Sequence, residues 1–324
     1  MKIGIDIMGG DFAPQATIDG AILALKELPK DVRICLFGNE KTILSALAER
    51  KVNAADFDIF HASDVIEMGE HPTKAFSQKP LSSIALGFEM LKKQKIDAFA
   101  GAGNSGAMLV GSIYSTEPIK GIIRPCISTM IPKEEKGIGI MLDSGVNSDC
   151  KPDMLYQFGI LGSLYAQYVY NIHNPKVGLL NIGEEAEKGN LLAQSAFKLM
   201  KDTKDFNFIG NIEARDLFKD KVDVIVCDGF TGNIILKHTE SMYRLFVKKG
   251  FKGDFIDRFN YENYGGTPIL GINGTVVVGH GISNDKAIKN MILLTKEVHE
   301  AQLYKKIKTA IDSYTQCKKN ECNR

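Results

Sequence analysis

The clearest local signature in this chain is a strand that breaks into a glycine-rich turn and reopens as a helix. Residues 223–236, DVIVCDGFTGNIIL, show it best. Val224, Ile225 and Val226 form a β-branched run of the kind that fills a buried strand. Asp228-Gly229-Phe230-Thr231-Gly232-Asn233 interrupts it, and from Ile234 apolar residues return at helical spacing. Repeated, this order demands parallel strands joined by crossover helices on the sheet faces. The turn is also suited to anions. Glycines let backbone N–H groups approach a ligand, and a helix start adds about half a positive charge. Asp228 falls at the carboxyl end of its strand, where open α/β sheets place their chemistry.

Similar units recur along the chain. Residues 2–7 read as a strand ending at Gly9-Gly10-Asp11, with Pro14 in the first turn of a helix. Residues 96–114 repeat the order strand, glycine turn, helix, and residues 176–182 and 275–278 read as further strands. Residues 126–132 and 137–142 read as a hairpin around Lys133-Glu134-Glu135-Lys136, which makes the sheet mixed. Residues 68–80 read as a polar loop with His71, Lys74 and Lys79, residues 264–268 as another loop, and the last helix as running to about Ser313, with a frayed Lys- and Cys-bearing tail. The expected fold is a single α/β/α domain over 1–324, a sandwich around a mixed, mostly parallel sheet, because no low-complexity linker divides the chain.

Charge and cysteine usage exclude several classes. A net charge of +1 supplies no global field for nucleic acid. The six cysteines have no CxxC or metal-like spacing, so no metal is expected and a reducing, cytoplasmic compartment is. The start MKIGIDIMGG has no charged segment followed by an apolar one, so no signal peptide is expected. The longest charge-free window, residues 154–175, holds Gln157, Gln167, Asn171 and His173 and reads as a buried helix with Gly159 and Ser163 at close approaches. Phe251, Phe255 and Phe259 form a stripe among Lys248, Lys249, Lys252 and Arg258; it suits a membrane surface, an acidic partner or the core, and Gly250 and Gly253 argue against one continuous helix.

Three constellations carry candidate chemistry. Aligning Asp97 with Asp223 sets Gly103 on Gly229, Ser105 on Thr231 and Gly106 on Gly232, so both turns are candidate anion cradles. Asn181-Ile182-Gly183-Glu184-Glu185 puts adjacent acids at a strand end with Lys188 close behind, either a ligand loop or a solvated, self-neutralised one. His280 lies between two glycines and suits a ligand or a structural hydrogen bond. The strand ends at residues 6–11 and 143–147 read as turn or cap chemistry. Walker A, HExxH, GxSxG and GxGxxG patterns are absent, which disfavours P-loop NTPases, zincins, serine hydrolases and Rossmann dehydrogenases.

Taken together, IDIMGGDFAP, GAGNSGAML, LDSGVN, LLNIGEEAEKG, VCDGFTGNIILK and YGGTPILGINGTVVVGHG resemble the bacterial phosphate acyltransferase (PlsX) family over nearly the whole chain. The resemblance implies a fold similar to isopropylmalate dehydrogenase and phosphate acetyltransferase. It implies transfer of a long fatty acyl group from an acyl-carrier-protein thioester to inorganic phosphate, giving acyl-phosphate for phospholipid synthesis, with no cofactor. It also implies a homodimer peripheral to the inner face of the membrane, in contact with that membrane and with a glycerol-phosphate acyltransferase. For that chemistry Lys188, Asp228 and Asn233 are the catalytic candidates. Gly9, Gly10, Asp11, Gly103, Asn104, Ser105, Gly106, Asn181, Glu184, Glu185, Gly229, Thr231, Gly232 and His280 are candidates for binding phosphate or the acyl donor. The chain departs from the family pattern in Ala214 and in a short, protruding segment at about 240–264. The alternatives are an acyl-CoA-dependent, phosphate acetyltransferase-like enzyme, a sugar kinase suggested by IGIDIMGGD, and a non-enzymatic lipid-binding or membrane-scaffold protein.

Overall fold

The computed structural model describes the backbone of residues 1–322 and the side chains of residues 1–317. The strands, in chain order, are β1 (Lys2–Asp6), β2 (Arg33–Gly38), β3 (Asp58–His61), β4 (Ala98–Gly101), β5 (Cys126–Pro132), β6 (Ile138–Leu142), β7 (Lys176–Leu180), β8 (Asn207–Ile212), β9 (Val224–Val226), β10 (Gly266–Leu270) and β11 (Thr275–Gly279). The helices are α1 (Gln15–Glu27), α2 (Glu40–Glu49), α3 (Pro72–Gln78), α4 (Ser83–Lys92), α5 (Ser105–Thr116), α6 (Pro152–Val169), α7 (Leu191–Met200), α8 (Gly229–Lys248), α9 (Asp254–Asp257), α10 (Asp285–Glu300) and α11 (Leu303–Cys322).

The chain forms two compact units. The first comprises Met1–Glu117 and Tyr261–Glu300; the second comprises Pro118–Asn260 and the chain from Ala301. None of the three passages between them carries a glycine-, proline- or serine-rich tract, so composition leaves this division unmarked. In the first unit the strand order is β3-β2-β1-β4-β11-β10, parallel except for β10 against β11. In the second it is β5-β6-β9-β7-β8, parallel except for β5 against β6. The mixed, mostly parallel α/β fold read from the sequence is therefore present, and the 126–142 hairpin is an antiparallel pair within it.

The echo between residues 97 and 223 has a structural basis at the strand starts. Asp97 donates its amide to the Lys2 carbonyl at 2.8 Å and accepts the Lys2 amide on its carboxylate at 2.6 Å. Asp223 does the same with Lys176, at 2.9 and 2.8 Å. The strands opened by those lysines read Lys-Ile-Gly-Ile and Lys-Val-Gly-Leu. A Cβ on Gly4 would lie 2.5 Å from Ile96 Cδ1, and one on Gly178 would lie 3.2 Å from Val222 Cγ2, so the residue before each aspartate fills the gap its glycine leaves. The echo then loses step. The helix caps are Asn104, seven positions after Asp97, and Asp228, five after Asp223.

Four local readings change. Helix α8 begins at Gly229 rather than near Ile234, because Asp228 caps it and draws the glycine turn into the helix. The stretch 68–80 contains α3, started by Pro72 at a position that needs no amide hydrogen. The stretch 264–268 contributes Gly266 to Pro268 to β10, ordered by its ladder to β11 despite the glycine and proline content. The last helix is two: Gln302, with φ +49°, separates α10 from α11, which continues through Cys322, so the tail is helical that far and its final two residues lie outside the described part.

Helix α6 is buried along most of its length, as its composition suggested. Its glycines admit side chains rather than another helix: Gly159 faces Phe206, and Gly162 faces Val224 and Leu142. Among the described residues no helix is long and apolar enough to cross a membrane.

Candidate active site

The second unit aligns three parallel strand ends side by side, since β6, β9 and β7 are neighbours. Their loops hold residues 143–147, 228–233 and 181–189. At β9, Asp228 accepts the Thr231 amide on Oδ1 at 2.8 Å and the Thr231 hydroxyl on Oδ2 at 3.0 Å. Both carboxylate oxygens are thus engaged in capping α8, and Gly232 donates to the Asp228 carbonyl at 3.0 Å. The Gly229 amide donates to Asn147 O at 2.7 Å. Asn233, one turn further on, is exposed, and its side chain rests over Gly145, whose hypothetical Cβ would lie 3.4 Å from Asn233 Oδ1.

The loop after β7 is closed by two asparagines. Asn181 accepts the Ile182 amide at 2.8 Å and donates to the Lys188 carbonyl at 3.0 Å. Asn211, buried at the end of β8, donates to the Glu185 carbonyl at 2.8 Å. Gly189 has φ +88°, and a Cβ there would fall 2.1 Å from Asn181 Oδ1, so this closure requires glycine. Glu184 pairs at 2.6 Å with Lys221, which also reaches Asp216 at 3.3 Å. The loop's acid is therefore neutralised by a lysine from elsewhere and not by Lys188. Lys188 is exposed, and among the described residues its ammonium forms no ion pair and no bond to Asp228. Lys188 thus stands on a loop pinned by Asn181 and Asn211, at the edge where three strands end.

The first unit repeats the arrangement at β1, β4 and β11, which are also neighbours. Asp11 donates its amide to Gly281 O at 2.7 Å, bringing the β1 and β11 loops together. Gly10, at φ +109°, faces Gly281 O and Ala102 O. A Cβ on Gly9 would fall 2.6 Å from Gly103 Cα, so the β1 and β4 turns meet backbone to backbone. Asn104 caps α5 through the Ala107 amide at 3.0 Å, and its Nδ2 donates to the carbonyls of Glu67, Met68 and Glu70. Its carboxamide is thus committed to fastening loop 67–70. Ser105 is exposed at the first position of α5, and Gly106 packs against Pro72. His280 stacks at a tilt on Tyr261, ring centroids 5.1 Å apart, and its carbonyl accepts the Ser283 amide at 3.0 Å.

The structure therefore gathers the candidates in two groups. Lys188, Asn181, Glu184, Glu185, Asp228, Gly229, Thr231, Gly232 and Asn233 lie in the second unit, and the rest lie in the first. Two buried acids were passed over as ordinary turn residues. Asp143 is 0% exposed and organises the loop beside α8. Asp6 is 1% exposed: Oδ1 accepts the Met8 amide at 3.1 Å, while Oδ2, wedged against Gly9 and Gly103, has no hydrogen-bond partner. Burial pushes the Asp6 carboxyl up to about 6, against a partial pull from the Ser83 hydroxyl. The available signal was an aspartate ending a fully apolar strand, with glycines just beyond it.

Comparison with known proteins agrees with this architecture. A family model described as "Fatty acid synthesis protein" matches residues 1–306. A phosphate acyltransferase of Dictyoglomus turgidum is 40% identical, with 97% of this chain and 99% of the relative covered. One of Desulforudis audaxviator is 42% identical, with 94% of each covered. Among solved structures, the EutD phosphotransacetylase of Staphylococcus aureus superposes with a TM-score of 0.64 over 92% of this chain and 94% of its own, at 13% identity, which shows a common fold. By sequence along almost its whole length, the chain belongs to the phosphate acyltransferase family of acyltransferases.

Proposed function

We propose that the chain transfers a fatty acyl group from an acyl-carrier-protein thioester to inorganic phosphate, releasing acyl-phosphate and the carrier thiol. The observation that carries this reading is Lys188: an unpaired ammonium on a loop pinned by Asn181 and Asn211, in a chain of this family. Phosphate is anionic and nucleophilic near neutral pH, so the protein need only hold it, strip part of its water and aim it at the carbonyl carbon. Its oxygen adds to that carbon, and the tetrahedral oxyanion then collapses and expels the thiolate. Lys188 holds phosphate; the Asn233 carboxamide, at the end of the first turn of α8, supplies a donor to the oxyanion, where one such donor is worth about 3–4 kcal/mol. Asp228 supports these groups by capping. The first-unit cluster of Gly9, Gly10, Asp11, Gly103, Ser105 and His280 is a second proposed substrate contact.

The test is incubation with palmitoyl-carrier protein and phosphate, following acyl-phosphate by mass spectrometry. Omitting phosphate is expected to abolish the product, and palmitoyl-CoA is expected to replace the carrier poorly. Phosphate-independent thioester cleavage, or none, would overturn the reading. Lys188→Ala is expected to raise the phosphate concentration needed for half-saturation at least tenfold, and unchanged saturation would remove Lys188 from the site.

Phe246, Phe251 and Phe255 are exposed beside Lys248, Lys249 and Lys252, and this surface supports the further proposal of peripheral contact with anionic lipid. Phe259 instead packs edge-on against Phe218 at 5.5 Å, so the stripe is shorter than its spacing implied. Full retention of a Phe251→Ser, Phe255→Ser variant on anionic vesicles would exclude it. A homodimer in the cytoplasm remains part of the same proposal and is read by sedimentation.

A further inference from the structure

We infer that Asp143 is a positioning residue that sets the Asp228–Asn233 turn for the reaction; this rests on that turn belonging to the acyl-transfer site. The Asp143 carboxylate is fully buried at the end of β6, with no cation among its recorded partners. Instead it gathers neutral donors. Oδ1 accepts the amides of Ile127 at 3.4 Å and of Gly145 and Val146 at 3.3 Å each. Oδ2 accepts the Asn147 amide at 2.6 Å and Asn147 Nδ2 at 2.8 Å. Nδ2 also donates to Pro125 O at 2.9 Å, so Asn147 is held from both sides.

The loop ordered in this way carries α8. Asn147 O receives the amide of Gly229, the first residue of the helix, at 2.7 Å. The Asp143 carbonyl lies where a Cβ on Gly232 would come within 2.0 Å, and it accepts the Cys227 thiol at 3.6 Å. Asn233 rests on Gly145, the exposed residue at the loop's crest. Contacts at Gly229, Gly232 and Asn233 fix both the height and the rotation of the first two turns. All pass through residues 143–147, and one carboxylate holds those residues in place. The loop carrying Lys188 is fastened separately, by Asn181 and Asn211.

That separation gives a kinetic signature. Disturbing Asp143 shifts Asn233 and the α8 amides without touching the Lys188 loop, so turnover falls while phosphate saturation stays. Asp143→Asn presents donors to donors on one side of the carboxamide. It is expected to lower kcat 10- to 100-fold with the phosphate KM within about twofold of wild type. Asn147→Asp approaches the same contact from the other partner. It sets two carboxylates together that can coexist only by sharing a proton. Its kcat is expected to fall at least tenfold at pH 8 and to recover toward pH 5.5, relative to wild type at each pH, a profile that a general loss of fold does not produce. Circular dichroism on each variant identifies any that fail to fold, and the pH recovery of Asn147→Asp carries the test if Asp143→Asn is one of them. A folded Asp143→Asn with wild-type kcat, a rise in phosphate KM alone, or a flat pH ratio for Asn147→Asp overturns the inference. Asn233→Ala serves as the control. If it too is fully active, the turn is not part of the site and the underlying reading fails; if it is inactive while both other variants are normal, only the role of Asp143 fails.

Discussion

Burial of the Asp6 carboxyl sets an expected pH dependence for the stability of this fold. Its carboxyl is 1% exposed, Oδ2 meets no donor, and its pKa stands at about 6 against an ordinary 3.8. No charged group figures among the causes of that shift; burial dominates, opposed by the Ser83 hydroxyl of α4 and the Met8 and Gly9 amides. A carboxyl whose folded pKa is raised is stabilising to no one once it ionises. The folded state binds the proton more tightly than the unfolded chain, so stability falls as pH rises from the unfolded value through the folded one. Taking 3.8 and about 6 as the two values, the ionisation cost is under about 1 kcal/mol at pH 4, about 1–2 at pH 5 and about 3 at pH 8.

Asp6→Asn removes that titration while keeping the shape. The amide introduces costs of its own in the same space, but these do not vary with pH and cancel in a comparison across pH. The expected result is that the stability difference between variant and wild type shifts in the variant's favour by about 2–3 kcal/mol between pH 4 and pH 8. Urea unfolding followed by circular dichroism at closely spaced pH values reads it directly, with the midpoint difference compared at constant slope. Parallel pH dependences for the two proteins would refute the reasoning, because they would mean that Asp6 is paired or solvated in the folded state.

Other expectations are independent of that one. Asp228→Ala should cost about 0.5–2 kcal/mol through loss of the α8 cap, while Asp228→Asn, an equally good cap, should stay within about 0.5 kcal/mol in thermal unfolding. Lys133 and Asp223 form a buried ion pair, with side chains 8% and 13% exposed, and Lys133→Ala should destabilise by about 3–5 kcal/mol because it strands the carboxylate. Gly189→Ala should reopen the 181–189 loop, both because φ is +88° and because its Cβ would collide with Asn181; rapid proteolysis within that loop, absent from wild type, is the readout.

The parts of this molecule that were legible in its residues are those in which local pattern and tertiary demand agree. Val224 to Val226 had to be a central strand, and Lys133 to Lys136 had to turn between strands, because nothing else buries those apolar runs. The hidden parts are those settled by contacts distant in sequence. Nothing in Gly266-Thr267-Pro268 marks a strand until β11 lies beside it. The acids of residues 181–185 read either as a ligand loop or as one neutralised by its own Lys188, but the cation of Glu184 is Lys221, 37 positions away. Asp143 and Asp6 looked like ordinary turn residues because burial, which sets them apart, is a property of the assembled sheet.

The two glycine turns, alike in sequence, differ in the charge of their caps, and this governs what each can bind. Helix α5 is capped by Asn104, a neutral amide, so the positive end of its dipole is not offset by its own cap. Helix α8 is capped by Asp228, whose carboxylate already occupies the Thr231 amide and hydroxyl. An anion approaching α8 meets a negative charge at the place where the dipole is strongest. It therefore needs a cation to bind, and Lys188, on the neighbouring strand end and without an ion pair among the described residues, is the one we propose. The sequence motif taken alone predicts two equivalent anion cradles. The caps distinguish them by charge, neutral at α5 and acidic at α8, which is why Lys188, more than the glycines, carries the proposed phosphate contact in the second unit.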